Sequence, residues 1–165
     1  MIRSVVNMGT NPVQRDATSQ AVSRNVWRIR TGKNLGLRGL AARLAEVGRP
    51  LGHSAVDQIE KGTRRVDVDD LMALSAALGV SPTTLLMPSI PGATEDDGSQ
   101  LVDATEMVEV PGEGGEVGRV SAGTLWLWLR AEAPLPNYKG SHRKFFVDAR
   151  PEWDPGAGDP KLWSK

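Results

Sequence analysis

The 165-residue chain has no cysteine, which excludes disulfides, thiolate metal sites and cysteine nucleophiles. Histidine occurs only at His53 and His142. No HExxH pair, metal-spaced cluster or nucleophile-elbow serine accompanies them, so no catalytic residue, metal ligand or cofactor site is expected. Gly112-Glu113-Gly114-Gly115 lacks the trailing Lys-Ser/Thr of a phosphate loop and reads as a turn. No run approaches the roughly 18 apolar residues of a membrane span, and the N-terminus shows no secretory apolar segment. A cytoplasmic protein without membrane contact is expected. Aromatic content is only 5%, so any core must be built mainly from aliphatic side chains.

The net charge of zero conceals a strong asymmetry. Residues 1–66 carry 12 Lys/Arg against 4 Asp/Glu, residues 67–110 carry none against 9, and residues 111–165 carry 8 against 7. A block of +8 followed by one of −9 suits phosphate contact by the first block. Solvated helix faces produce the same imbalance.

Within the basic block, Leu37, Leu40, Ala41, Leu44 and Val47 recur at helical spacing. Gly48-Arg49-Pro50-Leu51-Gly52 breaks the period. A second helix follows over 53–61, with Val56 and Ile59 inward and Gly62 placed to end it. Two short helices with a bend, and polar residues outside the second, make a helix-turn-helix that presents a helix to the DNA major groove.

Three further helices surround this pair. Thr18 or Ser19 can cap one that runs to about Thr31, with Val22, Val26 and Ile29 on one face. Trp27 beside them reads as packing. Asp67 with Asp70 forms a carboxylate variant of the capping box, flanked by a Val66–Leu71 staple. The helix it opens carries Leu71, Leu74, Ala77 and Leu78 and stops at Gly79. Ser81-Pro82 starts the fifth, with Leu85 and Leu86 packing back.

Residues 19–87 resemble the lambda-repressor/Cro-type helix-turn-helix family, the XRE family. The resemblance rests on Ile29-Arg30, Leu40-Ala41, Val56 with Ile59-Glu60-Lys61-Gly62, and Leu78-Gly79-Val80-Ser81. The form with Gly48-Arg49-Pro50, Arg65-Val66-Asp67-Val68 and Leu85-Leu86 is similar to actinobacterial regulators. Three departures stand out. The turn between the motif helices is longer than the family's usual one. Gly36 stands where a Ser or Thr cap is common, and Leu37 where a phosphate-binding Gln is usual. The resemblance implies a mainly α, five-helix domain that binds double-stranded DNA and acts as a transcriptional repressor or regulator; a homodimer is expected because one such motif reads only a half-site of a few base pairs. It also implies an ion pair between Arg30 and Glu60 and phosphate contacts from Arg64 and Arg65.

On a helical wheel, Ser54, Asp57, Gln58 and Lys61 face outward and His53 sits at the leading edge. Gln58 is the best base reader, since its amide can engage adenine N6 and N7 together. His53 and Ser54 match the family's base-contacting positions, although His53 also reads as an ordinary surface residue. Asp57 can accept from cytosine N4 or act by exclusion. Lys61 and Arg49 complete the expected phosphate contacts with Arg64 and Arg65. The competing function is a protein-interaction module on the same scaffold, an antitoxin-like or adaptor protein without strong DNA binding.

Outside 18–87 the signals thin. Residues 1–17 read as a flexible arm and 88–104 as a Pro/Gly/acidic linker. Residues 105–165 read as a small mixed α/β or partly disordered module. In it, 107–110 and 117–120 are expected to pair as strands and Ser121 to cap a segment carrying Leu125, Trp126 and Leu129. That LWLWL run fits a strand or a helix by period, and similarity to the actinobacterial relatives favours the helix. A further strand is expected over 143–147. Trp126, Trp128, Phe145 and Phe146 are expected to supply a small core or a partner surface. No effector is legible.

Overall fold

The computed structural model of the chain describes residues 16–88, 104–111, 117–151, 153 and 154. The arm over 1–15, most of the linker and the tail beyond 154 lie outside the described residues.

Five helices come first: α1 (Ala17–Gly32), α2 (Leu37–Glu46), α3 (His53–Glu60), α4 (Val68–Leu78) and α5 (Pro82–Leu86). Their aliphatic stripes converge on one core of Val22, Val26, Leu40, Leu44, Val56, Ile59, Leu74, Ala77, Leu78 and Leu85. Helices α2 to α5 are short, and isolated helices of their length are marginal in water. Tertiary burial therefore holds them. Val47 departs from the expected stripe: the helical period ends at Glu46, and its side chain is left 44% exposed.

Local signals set the ends. Gly48 takes φ +83°, which lets Arg49 N–H reach the Leu44 carbonyl at 2.8 Å and Gly48 N–H reach that of Ala45. Gly62, at φ +67°, closes α3 in the same way, with Thr63 N–H on the Gln58 carbonyl. Both are left-handed helix stops that a Cβ would strain. α1 starts before the expected Thr18 or Ser19: Asp16 is its N-cap and makes no side-chain cap bond. At α4, Asp67 accepts from Asp70 N–H as expected, yet the Asp70 carboxylate does not complete a reciprocal box. It is drawn instead to two arginines, described below. Ser81 caps α5, with Pro82 at its first turn. Asn25, fully buried in α1, donates its amide to the carbonyls of Leu85 (3.0 Å) and Met87 (2.6 Å), tying α1 to the end of α5.

The C-terminal part contains an antiparallel hairpin, β1 (Met107–Pro111) with β2 (Val117–Ser121), in which Val108 faces Val120. Two helices follow, α6 (Ala122–Leu129) and α7 (His142–Ala149). Ser121 accepts from Thr124 N–H, so the LWLWL run is helical. A second, smaller core joins Val108, Val110, Val120, Ala122 and Leu125, with Met87 and Leu129 packed against it. The strand expected over 143–147 is a helix instead. Ser141 caps it through Lys144 N–H, and Lys144 pairs with Asp148 one turn on. Only Phe145 is buried there, which suits one inward position per turn rather than alternation. Of the four aromatics expected to supply a small core or a partner surface, Phe145 is buried, Trp126 and Phe146 are half-buried and Trp128 is exposed. No helix among the described residues is long and apolar enough to cross a membrane.

Candidate nucleic-acid interface

The geometry of the motif follows from α3. Val56 and Ile59 have no exposed surface, which anchors one side of the helix in the core. The opposite side carries His53, Ser54, Gln58 and Lys61, all exposed, with Asp57 half-buried between them. The side chains of His53, Ser54 and Gln58 make no hydrogen bond among the described residues. Their polar groups are open to an external partner. Lys61 and Asp57 are not independent: the exposed Lys61 Nζ donates to Oδ2 of the half-buried Asp57 at 2.7 Å, one turn away. Each tempers the charge that the other presents.

At the far end of α3, Arg30 clasps Glu60 in a two-point pair. Nε donates to Oε1 at 2.5 Å and Nη2 to Oε2 at 2.8 Å, and Nη1 donates to the Leu35 carbonyl at 2.6 Å. The Arg30 and Glu60 side chains are only 11% and 7% exposed. The hydrogen bond to Glu60 raises the Arg30 pKa above its ordinary value, outweighing the desolvation that lowers it. The guanidinium stays charged and pins α3 to α1.

The four phosphate candidates separate. Arg65 is exposed and unpaired among the described residues. Lys61 is the exposed partner of Asp57. Arg49 and Arg64 turn inward instead. Arg49 donates from Nε to Asp70 Oδ1 at 2.7 Å and from Nη2 to Asp67 Oδ2 at 2.9 Å. Arg64 Nη2 reaches Asp70 Oδ2 at 3.3 Å, while its Nε is buried without a hydrogen-bond partner. The hydrogen bond to Asp70 raises the Arg49 pKa. The Asp67 carboxyl is held below the usual carboxylate range, first by the Asp70 N–H and then by the Arg49 charge. Two arginines and two aspartates thus form a neutral cluster. Sequence reading missed it because Asp67 and Asp70 are far from Arg49 along the chain, and a capping role already accounted for both acids.

The N-caps of α2 and α3, Gly36 and Gly52, supply no side-chain cap. Helix N-termini of this kind suit an anionic oxygen. Among the described residues no group of three His, Asp or Glu is disposed to hold a metal ion.

Residues 35–85 match the family model described as Helix-turn-helix. No curated protein and no solved structure matches the chain significantly. The matched segment begins just before α2 and ends in α5, so it takes in both motif helices, the long turn and the helix whose acids receive Arg49. With an open polar face on α3 and that helix seated on a shared aliphatic core, residues 35–85 are similar to the helix-turn-helix domains of the lambda-repressor/Cro (XRE) type.

Proposed function

We propose that the chain is a sequence-specific transcriptional regulator that sets α3 in the major groove. It acts as a homodimer on paired half-sites, since one such helix reads only a few base pairs. The observation that carries this reading is the unpartnered outer face of α3, with His53, Ser54 and Gln58 exposed opposite a fully buried Val56 and Ile59. Gln58 reads a base edge, with His53 and Ser54 at the entering end and Asp57 limiting which bases are accepted. Arg65 holds phosphate, aided by Lys61 and by the open N-termini of α2 and α3. Arg49 and Arg64 contribute less than their charge suggests, because Asp67 and Asp70 offset them. The division of the chain belongs to the same proposal: a DNA-binding domain over 18–87, a linker over 88–104 and an accessory module over 105–165.

Selection of bound duplexes from a random pool supplies the operator, its symmetry and its half-site spacing. On that operator, Gln58→Ala should cost about 1–3 kcal/mol and relax one base position, with little effect on random DNA. Arg65→Ala should weaken both duplexes alike and reduce the salt dependence of log K by about one contact's worth. The reading fails if Gln58→Ala leaves the preference intact while Arg65→Ala erases it. The neutral cluster favours one alternative, a protein-interaction module that binds DNA weakly. That alternative holds if no duplex is selected even at low salt.

A further inference from the structure

Helix α3 is only eight residues long and enters from the extended turn over 47–52. So short a helix does not hold its own direction; whatever fastens the chain on either side sets it. The far end is pinned to α1 by Arg30 and Glu60. The near end has no such pair and no side-chain cap.

A single carboxylate supplies the missing restraint. Asp70, in the first turn of α4, has a side chain 1% exposed. Its Oδ1 accepts from Arg49, in the turn that leads into α3, and its Oδ2 accepts from Arg64, in the segment that leaves it. Arg49 is also bridged to Asp67, whose Oδ1 takes the Asp70 N–H at 2.7 Å, so both acids are locked to the same helix end. A buried carboxylate needs such partners, and a guanidinium fork bonded at two points transmits direction as well as charge. Asp70 has no capping role that would otherwise explain its burial.

We infer that Asp70 is a positioning residue for DNA reading: from α4 it fastens the chain on both sides of α3 and so sets the angle at which His53, Ser54 and Gln58 meet the base edges. This rests on the proposed function for its consequence, but not for its geometry. The two arms are unequal. Arg49 is held at two points, whereas Arg64 is held at one with its buried Nε unsatisfied, so the Arg49 arm dominates.

The test uses the full chain as wild type, Asp70→Asn, Arg49→Ala and the double variant, with two readouts. The first is amide hydrogen exchange at Arg49, Ala55, Val56 and Thr63, whose N–H groups are bonded to Leu44, Gly52, Gly52 and Gln58. The second is the ratio of affinities for the selected operator and a random duplex at fixed salt, in which general charge effects cancel. Asp70→Asn should accelerate exchange at those amides about tenfold more than in α1. It should lower the affinity ratio about tenfold, and adding Arg49→Ala should change little further, because the residues act as one unit. Arg49→Ala alone, a partly exposed site, should reproduce the pattern and serves if Asp70→Asn does not fold. Exchange that rises uniformly through α1–α5 with the ratio preserved overturns the inference, as does a local rise with the ratio preserved. A wild-type chain that selects no operator overturns the proposed function instead. The exchange readout then still decides whether Asp70 fastens α3, and unchanged exchange at the four amides refutes it.

Discussion

Glu60→Ala removes one side of the least exposed ion pair in the helical domain. The pair spans α1 and α3, carries two direct hydrogen bonds and is almost closed to water. Its loss strands the Arg30 guanidinium, which keeps only the Leu35 carbonyl at 2.6 Å. Breaking a buried pair from one side costs about 3–5 kcal/mol, chiefly for the charge left behind. The retained carbonyl contact and the residual exposure of Arg30 place this case near the lower end, at about 3 kcal/mol. With a urea dependence of about 1–3 kcal/mol per molar, the unfolding midpoint should fall by roughly 1–3 M. Glu46→Ala, exposed at the end of α2, is the control and should shift stability by less than about 0.5 kcal/mol. Replacing both partners with Met should recover much of the loss, because no buried charge then remains. Equal and small effects of Glu60→Ala and Glu46→Ala would refute the reasoning, as would a double variant no better than Glu60→Ala.

Gly48→Ala meets no atom within 4 Å but must hold φ +83°, so it should cost about 1–2 kcal/mol in thermal unfolding. Gly52→Ala, at φ −66° with equally open space, should cost far less. Asp67 has a folded pKa below its usual 3.8, so its contribution is fully present above about that pH and is lost as pH falls through the lower folded value. Urea midpoints of wild type and Asp67→Asn should therefore differ at neutral pH and converge in acid; a constant gap would contradict the assignment. A chain ending at Ile90 should fold and keep its operator preference, with weaker affinity if the lost module aids pairing of subunits. A folded fragment without preference would place readout elsewhere.

Helix existence in 17–86 and most helix ends, the start of α1 excepted, were legible because they are local properties. Periodic leucines mark α2 and α4, while Gly48, Gly62 and Gly79 stop helices through their own positive φ. Asp67 and Ser81 cap through atoms two or three residues away. The outward face of α3 was legible for the same reason: once Val56 and Ile59 are inside, helical geometry leaves Gln58 outside. The hairpin register and the α7 helix were harder to read. Short runs such as 143–147 fit two periods, and the choice depends on what lies alongside. Tertiary structure alone decided the fate of the charges. The sequence shows a basic block before residue 66 and an acidic one after it, but not that Asp70 folds back between Arg49 and Arg64. Such a pairing depends on how α4 crosses the turn over 47–52, because electrostatic contacts form wherever packing brings charges together. Which cations remain unpaired was therefore decided by the core that seats α4, and Arg65 is left exposed and unpaired among the described residues where Arg49 and Arg64 are not.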